Sequence, residues 1–185
     1  DVYKRQTRGN TTDFGDLPFN RGGMNIGIQA SNTRGFICGG EAPVGDSNNY
    51  ITRFEFSSTG SAVDHADLTF TSKNGGSYSN ATRAIQHRGY GAPSINHKDV
   101  DFFTMASTAN AVDFGDKTAV KAYTTSVSSP TRAIVMGGFS TSPAPAAFNV
   151  IEYVEIATTG NAVDFGDTTN VVRHIKGGSN GHGGL

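Results

Sequence analysis

Cysteine is nearly missing from this chain of 185 residues: Cys38 stands alone. A single thiol excludes an internal disulfide and any zinc site built from cysteines alone. Tryptophan is absent, and charged residues make up 17%, below the usual share of about 25%. The 15 basic and 16 acidic residues nearly cancel, leaving a net charge of −1. No strong positive field exists to draw the chain to nucleic acid or an anionic membrane. No apolar run reaches the roughly 20 residues of a membrane-spanning helix. Nor does any segment carry a long helical period with caps.

What the chain does have is glycine, 24 residues of it, and internal repetition. Asp113-Phe114-Gly115-Asp116 recurs as Asp164-Phe165-Gly166-Asp167 and as Asp13-Phe14-Gly15-Asp16. A drifted copy reads Asp64-His65-Ala66-Asp67. The leading aspartates at 13, 64, 113 and 164 are spaced 51, 49 and 51 residues apart. A second motif keeps the same period: Thr33-Arg34 opens an apolar run ending in Gly39-Gly40, as Thr131-Arg132 opens one ending in Gly137-Gly138. Arg83 begins the drifted middle copy.

Each unit divides into short strands separated by turn-forming residues. In the third unit the expected strands cover residues 122–127, 131–136, 149–157 and 162–165. Four strands per unit of about 50 residues is the pattern of a propeller blade. An open β-solenoid is the alternative, but its coils are usually shorter. The expected fold is therefore all-β: a partial propeller of about three and a half four-stranded blades. A repeat tail covers 7–20, blades cover 21–70, 71–119 and 120–170, and 171–185 starts another. Such a set is not expected to close by itself. The rest of a ring would come from further sequence or from an identical chain, and open strand edges would otherwise invite aggregation. Asp1 to Gln6 resembles a translated sequencing adapter and is expected to lie outside the fold. The open ends read as those of a metagenomic fragment.

The apolar run closed by diglycine resembles the kelch repeat, with Tyr153 or Phe102 as the aromatic of the third strand. The chain departs from that pattern in lacking its tryptophan and in carrying the Asp-Phe-Gly-Asp box. The whole unit, seen at Ile151 to Asp167, is similar to repeat proteins of marine tailed phages. That resemblance implies a non-enzymatic structural or adhesive role in a virion or tail, with an extracellular or virion location. The partner implied is a host-surface glycan or a neighbouring virion protein. The rival readings are a secreted or surface bacterial carbohydrate-binding propeller and a fragment of a propeller oxidase.

The box resembles the magnesium-binding motif of kinases, but no nucleotide loop or catalytic loop accompanies it. Its repetition points to a structural role. Phe14, Phe114 and Phe165 are expected to plug between blades, and the aspartates to bind turn amides. Calcium is the alternative: Asp113 and Asp116 are hard oxygen ligands, but a calcium site takes about 6–8 oxygens. No cofactor is expected otherwise. Arg34, Arg83 and Arg132 are expected to pair with repeat aspartates such as Asp67 or Asp116. An inward guanidinium ring for an acidic ligand is the other reading. Cys38 aligns with Met136 and reads as a small core residue. No nucleophile elbow or phosphate loop is present, and catalysis is not expected.

The stretches after the second strand differ among units while the strands repeat. Variable loops on a rigid scaffold are where binding surfaces form. Glu41, Asp46, Tyr90, His97, Phe139 and Phe148 are the ligand-contact candidates.

Overall fold

The computed structural model describes residues 11–23, 29–41, 45, 47–91, 95–142 and 144–178. Among them there is no helix; three four-stranded antiparallel sheets follow one another along the chain. The first runs β1 (Gln29–Ala30), β2 (Arg34–Cys38), β3 (Tyr50–Glu55) and β4 (Val63–Asp67). The second begins with β5 (Ser77–Ser79) and β6 (Arg83–His87). A small hairpin of β7 (Tyr90–Gly91) and β8 (Ile95–Asn96) precedes its last two strands, β9 (Asp99–Thr104) and β10 (Val112–Asp116). The third repeats this plan. It has β11 (Thr125–Ser128) and β12 (Arg132–Met136), then a hairpin of β13 (Phe139–Ser140) and β14 (Ala146–Ala147). β15 (Val150–Glu155) and β16 (Val163–Asp167) complete it.

In each sheet the strand order follows the chain, so every connection joins neighbours. Glycine pairs close the second strands: Gly39 and Gly40 have φ of 62° and 114°, Gly137 and Gly138 of 63° and 117°. These are values that side-chain-bearing residues rarely adopt.

Two apolar cores lie between successive sheets. Phe36, Cys38 and Ile51 of the first sheet meet Ala84, Phe103 and Met105 of the second. Tyr78, Ile85, Val100 and Phe114 of the second meet Ala133, Val135, Val154 and Ile156 of the third. Cys38 is buried as expected, and burial pushes its thiol up to about 12. The first strands of the sheets lie side by side, tied by serines. Ser79 Oγ donates to Ala30 O at 3.2 Å, Ser126 Oγ to Ser77 O at 2.8 Å, and Ser128 Oγ to Ser79 O at 2.9 Å.

The box is a β-bulge. Between β9 and β10, Asp101 faces Asp113 and Val100 faces Gly115, leaving Phe114 as the extra residue. His65 and Phe165 occupy the same place in their sheets. Bulges bend a strand and re-aim its side chains. Here Phe114 is buried at 2% exposure between the second and third sheets. His65 takes the equivalent place between the first two, edge-on to Phe36 at 5.1 Å. Phe14 and Phe165 do not fill an inter-blade core. They are 41% and 54% exposed: no described sheet lies beyond Phe165, and Phe14, which touches Phe54 of the first sheet, has no described sheet of its own behind it.

Two further expectations change. The first strand of the third unit starts at Thr125 rather than 122, because Tyr123 turns the chain with φ of 57°. The repeat arginines pair across strands rather than with the box. Arg34 faces Glu55 in register and reaches it at 2.9 Å, and Arg132 likewise meets Glu155 at 2.7 Å. Arg83 donates to the carbonyls of Ile156 and Ala157 in the next sheet.

Candidate functional site

The loops that follow the second strands gather at one end of the sheets. They are organised around a turn that recurs in every unit. Asn74 N donates to Gly23 O at 3.1 Å, Tyr123 N to Asn74 O at 2.8 Å, and His174 N to Tyr123 O at 3.2 Å. All four turn residues have positive φ: 45° at Gly23, 57° at Asn74 and Tyr123, 56° at His174. Positive φ is readily adopted by glycine and asparagine, and costs a tyrosine or histidine about 1–3 kcal/mol. The hydrogen-bond chain between units holds the strained residues in place.

The turn puts aromatic rings side by side. Tyr123 lies 5.7 Å from Tyr90 and 4.2 Å from His174, centroid to centroid. Tyr90 donates its hydroxyl to Thr141 Oγ1 at 3.3 Å. Asn96 fixes that threonine by accepting from both its N–H and its hydroxyl, and donates in turn to Phe139 O. Burial, with Tyr90 close by, raises the Tyr123 phenol above its ordinary value, so it stays protonated and able to donate. The Arg173 guanidinium stands 4.7 Å over the Phe139 ring. At the near edge Lys73 donates to Glu41 Oε1 at 2.7 Å and to Gly45 O at 2.8 Å.

Of the ligand-contact candidates, Glu41, Tyr90 and Phe139 meet on this face. Asp46 lies outside the described residues. His97 is drawn aside towards Asp99, 3.6 Å away. Phe148 sits beside Lys121, whose Nζ is 5.9 Å from its ring. Thr141 joins Glu41, Tyr90 and Phe139 from the variable stretch that begins at Phe139, and Lys73, Tyr123, Arg173 and His174 join the site from outside the variable stretches. A periodic signal was there to find, since positions 23, 74, 123 and 174 keep the 51, 49, 51 spacing of the box.

Beneath this face, between the second and third sheets, lies a closed polar cluster. Lys121 and Glu152 form an ion pair at 3.3 Å with both side chains fully buried. Thr118 donates its N–H at 3.0 Å and its hydroxyl to the other carboxylate oxygen of Glu152. Thr69 grips Asp101 in the same way one unit earlier. Each clamp ties the turn after a box to the third strand of the following sheet. Lys117 donates to the backbone carbonyls of Arg88 and Lys121. Burial brings its amine down to about 7. Tyr78 and His87 share a hydrogen bond of 2.8 Å. Burial holds His87 well below the usual histidine range, and so neutral. Thr69 and Thr118 are exposed, but the charged and aromatic groups they border are buried and brace the sheets.

The box aspartates are also engaged. Asp13, Asp113 and Asp164 each accept from the box glycine N–H two residues on, at 3.0, 3.2 and 3.1 Å. Asp116 pairs with Lys98 at 2.8 Å. Among the described residues no three His, Cys, Asp or Glu side chains cluster as metal ligands.

At the opposite end a wide cavity of about 470 Å³ opens between the first hairpins, among Ser31, Asn32, Asn80, Ala81, Ser129 and Pro130. Its walls are small residues, polar and apolar together, without an aromatic ring. Compared with known proteins, the chain matches no family model and no curated sequence.

Proposed function

We propose that this chain is part of a kelch-like β-propeller that acts as a non-enzymatic adhesive module of a phage virion or tail. Its loop face is the binding surface, and the ligand is a host-surface glycan. The observation that carries this reading is the Tyr90, Tyr123 and His174 cluster. Its rings lie against one another, with hydroxyl, amide and guanidinium groups around them. A sugar ring offers apolar C–H faces and a rim of hydroxyls, and such a surface serves both. Aromatic rings supply contact area at low entropic cost, because few torsions need freezing. The strained turn supports the same reading, since strain concentrates where a ligand is held.

The propeller part rests on three features: one four-stranded sheet per repeat, adjacent first strands, and face-to-face packing of successive sheets. A structural role without adhesion predicts no free-ligand binding at this face. The test is glycan-array screening of the parent, of Tyr123→Ala, and of a chain whose 139–149 loop is replaced. Glycan signal lost in both variants supports adhesion through this face. Signal unchanged in both, or absent from the parent, removes the loop face as a glycan site.

A further inference from the structure

Each positive-φ turn residue of the loop face is preceded by one that can send a side chain back onto the unit before it. These are Gly22, Lys73, Ala122 and Arg173, which keep the 51, 49, 51 spacing. Glycine and alanine have nothing to send, so two cations remain. Each meets the residue that directly follows a second strand and its closing glycine, at 41 or 139. Lys73 reaches back to Glu41 and forms an ion pair of 2.7 Å. Arg173 makes the same reach two units further on, but finds a ring where Lys73 finds a carboxylate. Its guanidinium lies 4.7 Å over Phe139.

The difference matters electrostatically. A carboxylate cancels a cation, whereas a ring beneath a guanidinium positions it and leaves its N–H fork unused. Arg173 is exposed. Among the described residues no carboxylate pairs with it. The charges of this face converge on one phenol: burial and Tyr90 raise Tyr123, Lys73 and Arg173 pull against them, and Glu41 adds to the rise. Glu41 offsets Lys73, so Arg173 brings a positive charge that no described carboxylate cancels to the Tyr90, Tyr123 and His174 rings.

The geometry points to an acidic sugar as the ligand of this face, with its carboxylate on Arg173 and its ring against Tyr123. This rests on the glycan-binding reading above and names the class of glycan. A guanidinium fork matches a carboxylate with two parallel hydrogen bonds, each stronger than a neutral one. The protonated Tyr123 hydroxyl is a further donor beside it. A neutral sugar uses the rings equally well but gains nothing from the charge. Sialic acids and uronic acids both carry the required carboxylate, and the probes below separate them.

Titration calorimetry of the full chain tests this with paired probes: sialyllactose against lactose, and a galacturonic acid trimer against its methyl ester. The parent is expected to bind the acidic member of one pair at least about tenfold more tightly than its neutral counterpart. The pair that shows the preference identifies the source of the carboxylate. Arg173→Gln is expected to abolish the preference, and Arg173→Lys, which keeps the charge but loses the fork, to restore only part of it. Thermal unfolding of both variants should match the parent, because Arg173 is exposed. Equal affinity within both pairs overturns the acidic-sugar proposal and leaves the glycan reading standing. A preference that survives Arg173→Gln overturns it too, by placing the carboxylate elsewhere. Binding of no probe also overturns it, and the array screen, which holds neutral and sulfated glycans, then decides the glycan reading separately.

Discussion

Gly115 lies directly beneath Gly160: a Cβ on Gly115 would stand 2.5 Å from the Gly160 carbonyl oxygen. The closeness lets Phe114 O and Asp116 O reach the amides of the next unit. Gly166 shares the backbone conformation, with φ of 144° against 142°, but has nothing above it. The two glycines therefore separate conformational strain from collision. Gly166→Ala is expected to cost about 1 kcal/mol, from strain alone. Gly115→Ala should cost about 2–3 kcal/mol more, because the collision is with backbone. Urea unfolding of both variants checks this; equal losses would mean that the close approach carries no energy.

Phe114 and Phe165 are identical in sequence context and opposite in burial. Phe114→Ala is expected to lose about 3–5 kcal/mol, as for other buried aromatics. Phe165→Ala should fall within about 0.5 kcal/mol of the parent monomer. Comparable losses at the two sites would contradict the exposed setting of the last box.

The Lys121–Glu152 pair has no solvent to screen it. Glu152→Ala leaves a buried ammonium without its counterion and is expected to cost about 3–5 kcal/mol. Lys121→Met with Glu152→Leu removes both charges and should recover most of that loss. Chemical denaturation of the single and double variants measures the difference. A double variant no more stable than Glu152→Ala would sink the electrostatic explanation.

The pH dependence of stability should reverse direction near neutrality. Asp101 is raised from 3.8 to about 6, first by burial, so the folded chain holds a proton that the unfolded chain releases. Its contribution is complete below pH 3.8 and is lost as pH rises through about 6. Lys117 is lowered from 10.5 to about 7, again by burial, so the unfolded chain holds the extra proton. Stability from this group therefore rises from about pH 7 towards 10.5 and is lost as pH falls back through 7. Lys117→Leu, which installs the residue found at Leu68, is expected to flatten the alkaline rise. Melting temperatures across pH 4 to 10 decide the matter (roughly one proton is at stake in each window). A parent curve that is flat above pH 7 would mean that Lys117 is not held neutral.

Much of the strand plan was legible because the repeat copies itself. Alternation and diglycine locate the strands in each unit, and β12 and β15 fall within a residue or two of their expected ranges. Cys38 was legible as core from its alignment with Met136. The arginine partners were not. Arg34 opposite Glu55 is a matter of strand register, and a list of nearby aspartates cannot supply a register. The Thr69–Asp101 and Thr118–Glu152 clamps were missed for a related reason. They join residues 32 and 34 positions apart across two sheets, and Asp101 and Glu152 differ in side-chain length. Glu41, Tyr90 and Phe139, named from loop variability, lie on the same face as five side chains that were not named. Tyr123 was instead expected in a strand, since tyrosine favours strands and nothing local announces a positive φ.

The sequence by itself determined the unit: its length, its strands, its closing glycines and its box. Those features are written in local chemistry and repeated, so each copy reinforces the others. Tertiary structure alone decided which copies of the box are buried and which are open. Phe114 and Phe165 have the same neighbours in the chain, but one has a sheet packed upon it and the other does not. Burial belongs to the contact between units, and it costs or stabilises only once a second surface is there to exclude water.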